Sequence, residues 1–129
     1  MAFDDGTPRG VLNLSFDPDR HTHCVLKAFN SFVEQYEFRY LAQYPIPPKH
    51  AIDNEVALWK SENGDADPTP AQKKTLIDAW VSKDMVRKML GFFASAQCQQ
   101  DWKAAKTVDD AEPTWKTFLE RMRAYYKPT

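Results

Sequence analysis

Apolar residues recur every three or four positions along most of the chain, the signature of amphipathic helices. The pattern is clearest in "EPTWKTFLERMRAYYKPT", residues 112–129, where Trp115, Phe118, Leu119, Met122, Tyr125 and Tyr126 fall on one helical face. Pro113 suits the first turn of that helix, where its missing N–H costs nothing. Pro128 ends it, because its ring excludes the preceding residue from the α region. A second long pattern runs through Val25, Leu26, Phe29, Phe32, Val33, Tyr36, Tyr40, Leu41 and Tyr44. It predicts a first helix of roughly 24 residues ending near Gln43, capped by Asp17 or Asp19 with Pro18 in the first turn. "YPIPP", residues 44–48, then forms a stiff extended connector.

A short helix over 49–61 carries Ile52, Val56 and Trp59, and "SENGDADPTP" is a polar, turn-forming loop. Thr69-Pro70-Ala71-Gln72 spells a capping box with proline at the first helical position. Three helical pieces follow, separate or partly fused. One carries Leu76, Ile77, Trp80 and Val81. The next, capped by Ser82, carries Met85, Val86, Met89, Leu90 and Phe93. The third, capped by Ser95, carries Cys98, Trp102 and Ala105. Ahead of all this, residues 1–10 read as a disordered tail. Leu12, Leu14 and Phe16 alternate with polar residues as a short strand or extended arm. The expected fold is all-α, a compact bundle of five to six helices over 11–129 with an aromatic core of Phe29, Phe32, Tyr36, Trp59, Trp80, Phe93, Trp102, Trp115 and Phe118.

At 129 residues the chain is the size of one domain. Seventeen basic and eighteen acidic residues leave a net charge of −1, which argues against a module built to neutralise phosphates. Nine prolines against four glycines, with no glycine-rich fingerprint, argue against a nucleotide-binding α/β domain. No apolar run approaches the length of a membrane span, and the acidic, proline-bearing N-terminus is unlike a signal or transit peptide, so a soluble, cytoplasmic protein is expected. Cys24 and Cys98, both on expected helices, make no metal or redox spacing and read as reduced, at least partly buried thiols.

His21, His23 and Cys24 form the one cluster that suggests a metal. No second donor pair follows at zinc spacing, and on a helix the two histidines point about 200° apart, so a solvent-facing first turn is expected. Asp65, Asp67, Asp109 and Asp110 read as solvated loop charge, and Glu120 with Arg123 as a surface pair one turn apart. No nucleophile–base pair emerges, so neither catalysis nor a cofactor is expected.

The run from Thr114-Trp115 through Phe118 to Tyr125, Tyr126 and Pro128 resembles the T-W-x-x-F … F/Y-x-P element of Gag polyproteins from gypsy-type LTR retrotransposons. "MLGFFASAQCQQDW" is similar to the family's preceding Leu-x-Gly-x-Ala-x-x-Trp helix, with Leu90, Ala94 and Trp102 in correspondence and a longer gap before the tryptophan. "LSFDPDRHTHCVLKAFNSFVEQY" resembles the arm and long aromatic helix with which the family's capsids begin. The resemblance implies a capsid N-terminal lobe with Trp102, Trp115, Phe118 and Tyr125 as family-motif core and Leu12, Leu14 and Phe16 as an arm beside a groove. It also implies a chain continuing past Thr129 into a second lobe and an RNA-binding tail. Its task would be lateral self-association in hexamers and pentamers of a virus-like particle, through the polar side of the first helix and the arm. RNA would be packaged only by the regions beyond, with no membrane partner. Two other readings are a domesticated Gag-derived adaptor that holds partner peptides, and the helical DNA-binding lobe of a tyrosine recombinase.

Overall fold

A computed structural model describes residues 15–21, 24–44, 46–109 and 112–128. Its helices are α1 (Val25–Gln43), α2 (Lys49–Glu62), α3 (Pro70–Lys88), α4 (Ala96–Ala105) and α5 (Trp115–Tyr126). A 3-10 turn at Pro18–Arg20 precedes α1, and a π-helical turn at Met89–Phe93 follows α3 directly. The fold is all-α, and among the described residues β structure is limited to an isolated parallel bridge between Phe16 and Ala94. The expected tail 1–10 and the arm residues Leu12 and Leu14 lie outside the described residues.

Local chemistry places most helix ends. Thr69 and Gln72 form the expected capping box: the Thr69 hydroxyl accepts the Gln72 N–H at 3.2 Å, and the Gln72 side chain accepts the Thr69 N–H at 2.8 Å. Ser95 caps α4 by accepting the Cys98 N–H at 3.1 Å. The turn after α2 needs two residues in the left-handed region, supplied by Gly64 (φ 66°) and Asp65 (φ 63°). Glycine has no steric penalty there, and aspartate tolerates it better than most residues.

Four expectations are corrected. α1 begins at Val25 and is 19 residues long, because Asp17 caps the separate 3-10 turn by accepting the Asp19 N–H at 3.1 Å, and both His21 and Cys24 leave the helical region. Ser82 does not start a helix; α3 runs through it to Lys88. Its hydroxyl instead accepts the Trp115 N–H at 2.6 Å, serving one of the unpaired donors at the start of α5. Pro113 lies one residue before the cap of α5, which is Thr114, whose hydroxyl accepts the Thr117 N–H. Leu41, placed on the inner stripe by spacing, is 60% exposed, since one step of about 100° beyond buried Tyr40 carries it off the stripe.

The core joins α1, the second half of α3, the π turn, α4 and α5. Tyr36 is 1% exposed and contacts Phe93 (5.4 Å between centroids) and Trp115 (5.3 Å), while its hydroxyl donates to the Met85 carbonyl at 2.7 Å. Phe118 lies between Trp102 (4.9 Å) and Trp115 (5.5 Å, nearly parallel). Trp59 and Trp80, expected in the core, are half-buried, because α2 packs on α3 rather than on the main cluster.

Truncating Phe118→Ala removes a fully buried ring and is expected to cost about 3–5 kcal/mol. Ser82→Ala is expected to cost about 1 kcal/mol although Ser82 is interior to its own helix. Urea titration of each variant checks both values. A neutral Ser82→Ala would mean the bond to Trp115 contributes nothing.

Candidate functional site

The arm enters the bundle at Phe16. Its N–H donates to the Phe93 carbonyl at 2.9 Å, and its carbonyl accepts the Ser95 N–H at 3.0 Å. The ring is 1% exposed, in a socket made by Phe29 (5.3 Å), Phe32 (5.8 Å) and Tyr126 (5.7 Å). This clasp depends on the π turn, which ends with Ala94 in an extended conformation and so frees the flanking backbone groups for an outside partner. Near Tyr126, between the first turns of α1 and the end of α5, lies a largely apolar groove of 590 Å³. It is lined by Cys24, Val25, Leu26, Lys27, Asn30, Tyr126 and Pro128.

Trp102, Trp115 and Phe118, far apart in sequence in part, meet in one cluster. Tyr125 does not join them. It is 46% exposed, because the stripe of α5 is centred on Trp115, Leu119, Met122 and Tyr126, and Tyr125 falls at its edge. Its ring instead lies edge-on to Tyr126 at 5.6 Å.

The outer side of α1 was missed as an apolar surface. Phe38 is 77% exposed and Leu41, one turn on, 60%, and Ile46 just beyond the helix is also 77% exposed. The signal was in the sequence: Phe38 falls off the inner stripe by helical spacing, and an off-stripe aromatic is an exposed one.

Among the described residues two carboxylates, Asp84 and Asp101, are buried, and both are engaged. Asp84 accepts the Tyr40 hydroxyl at 2.7 Å and both oxygens accept from the Lys88 ammonium at 2.9 and 2.8 Å, with Arg87 at 3.6 Å. The same Lys88 ammonium lies 4.7 Å from the Tyr44 ring centroid. Asp101 accepts the Tyr126 hydroxyl at 2.8 Å and the Gln97 amide at 2.9 Å. Glu37 accepts the Trp115 indole N–H at 2.8 Å. Arg123 reaches across to Asn30, donating at 2.8 Å, where a pairing with Glu120 was expected. Among the described residues no buried side-chain nitrogen or oxygen lacks a partner. These groups tie helices together, and each carboxylate's hydrogen bonds come from the protein's own donors.

Burial raises the pKa of Tyr36, Tyr40 and Tyr126 above the ordinary phenol value, with carboxylate neighbours adding to the effect. Burial likewise pushes the Cys98 thiol up to about 12. Cys24 sits exposed at the N-cap of α1 rather than partly buried on it, since the helix starts one residue later. His23 lies outside the described residues, and among the described residues no group of three or more His, Cys, Asp or Glu is placed to hold a metal. No described helix is long and apolar enough to cross a membrane.

The geometry thus defines an all-α bundle whose distinctive surfaces are an arm clasp, an apolar groove and an exposed apolar helix face. The chain matches no protein-family model, no curated protein and no solved structure.

Asp84→Ala would leave Lys88 without its carboxylate and is expected to cost about 3 kcal/mol, at the low end for a broken buried pair because Lys88 keeps some solvent contact. Tyr40→Phe should cost about 1.5–2 kcal/mol, since its acceptor is a carboxylate. Chemical denaturation checks the ordering, and a Tyr40→Phe loss equal to that of Asp84→Ala would contradict it. The Cys98 thiol has a folded pKa above its unfolded value of 9.0, so unfolding releases its proton first as pH rises. That contribution is intact below pH 9.0 and falls between 9.0 and about 12, with the three tyrosines acting in the same direction. A thiol reagent at pH 8 is accordingly expected to label Cys24 in the native protein and Cys98 only after unfolding.

Proposed function

We propose that this chain is a structural self-association module, the N-terminal lobe of a Gag capsid protein, packing laterally in hexamers and pentamers of a retrotransposon virus-like particle. The observation that carries this reading is the outer side of α1, where Phe38 and Leu41 stand exposed among polar neighbours on the helix that the sequence resemblance assigns to the ring. Two apolar side chains one turn apart give a small contact, suited to an assembly in which many weak interfaces close on one another. The meeting of Trp102, Trp115 and Phe118 adds support, since those positions carry the resemblance and here form one packed unit. Charge balance fits a lobe that leaves nucleic acid to other parts of its polyprotein.

The groove beside Tyr126 favours one second reading, a Gag-derived adaptor that holds an apolar peptide segment. The two readings use different surfaces and separate experimentally.

Sedimentation of the chain up to roughly 1 mM, where a weak contact of about 4 kcal/mol would register, is expected to show mass rising with concentration. Phe38→Asp combined with Leu41→Asp should abolish the rise and leave the thermal midpoint unchanged. An ideal monomer throughout the range, at low and high salt, would overturn the assembly reading. Binding of a peptide at the groove by that monomer would favour the adaptor.

A further inference from the structure

α2 stands apart from the rest of the bundle. The core residues, and the apolar residues half-buried against them, come from 16–44 and 81–126, with none from 46–80. Between those limits lie α2, the turn at Gly64 and the first half of α3. Ala51 is the one buried residue of α2. The other apolar residues available to its contact with α3 are Ile52, Val56 and Trp59 on one helix and Leu76, Ile77 and Trp80 on the other, and all are half-buried.

Polar interactions do not compensate. Lys49 pairs with Asp53 and Lys74 with Asp78, each within its own helix. Lys60 reaches Asp67 in the following loop, with side chains 39% and 86% exposed. Among the described residues, the ion pairs of 46–80 thus stay inside that stretch.

Both ends of α2 are breaks at which the helical path cannot continue. Before it, Pro47 and Pro48 hold an extended connector that cannot be absorbed into either helix. After it, Gly64 and Asp65 break the chain with two successive left-handed residues. Under the first connector is a cavity of 120 Å³ bounded by Tyr40, Tyr44, Pro47, Trp80 and Asp84, so the connector is not packed solidly onto the core.

We propose that α2 and its two connectors form a flap that opens from α3 while the core stays folded, uncovering an apolar face at Leu76, Ile77 and Trp80 beside Asp84. Segments with few buried apolar contacts open at lower free energy than the core, in roughly contiguous cooperative units. This inference is independent of the assembly reading, which uses Phe38 and Leu41 of α1.

Native-state hydrogen exchange on the full chain tests it. In the wild type, α2 amides are expected to exchange at least about 100-fold faster than those of the buried face of α5, with a urea dependence that is measurable but smaller than that of the α5 amides. Trp59→Ala should speed α2 exchange by about tenfold while leaving α5 amides unchanged. Equal protection of α2 and α5 in the wild type, with the same urea dependence, would overturn the flap. A Trp59→Ala variant that loosens α5 as much as α2 would overturn it as well.

Discussion

Trp115 stands where three helices converge, and its two N–H groups engage the other two. Its backbone N–H is taken by Ser82 of α3, its indole N–H by Glu37 of α1, and its ring packs against Tyr36 and Phe118. The first turn of a helix carries N–H groups that the helix cannot satisfy itself, and burying that end needs outside acceptors. Ser82 supplies one from the interior of a helix, which fixes the height of α5 along α3. Glu37 fixes its rotation against α1. The remaining contacts of the core, including Phe118 between two tryptophans, depend on α5 being held in that position.

Much of the architecture was legible because local chemistry and tertiary structure agree at those points. The capping box at Thr69, the Ser95 cap, the proline connector and the aromatic stripe of α1 all read the same way in sequence and in structure. Ser82 did not, because a serine within an apolar repeat looks like a cap for its own helix, and its true partner lies 33 residues away. Leu41 is apolar like the stripe residues, but its step of about 100° beyond Tyr40 takes it off the stripe, so hydrophobicity alone misplaces it. Trp59 and Trp80 mislead for a related reason: bulk and hydrophobicity predict burial, while the amount of burial depends on what the helix pair packs against. Of the candidate site, the burial of Trp102, Trp115 and Phe118 followed from helical spacing, the exposure of Tyr125 did not, and the Phe16 clasp and the groove needed distant elements brought together.

The buried carboxylates show how polar chemistry is used in this bundle. Asp84 and Asp101 each draw a tyrosine hydroxyl from another helix, so the aromatic stripes also carry the polar ties between layers. Substituting phenylalanine at Tyr40 or Tyr126 would keep the ring packing and lose the tie, which separates two roles that one side chain holds at once.

The bridge between Phe16 and Ala94 joins residues about 80 positions apart, the kind of contact whose formation carries a large loop-closure cost if attempted in an open chain. Helices form from near neighbours and on a faster timescale. The socket for Phe16 is made by side chains from α1 and α5, so it exists only once those two helices have met. Docking of Phe16 therefore follows the meeting of α1 and α5, and a nascent chain would carry its ring exposed until α5 has left the ribosome.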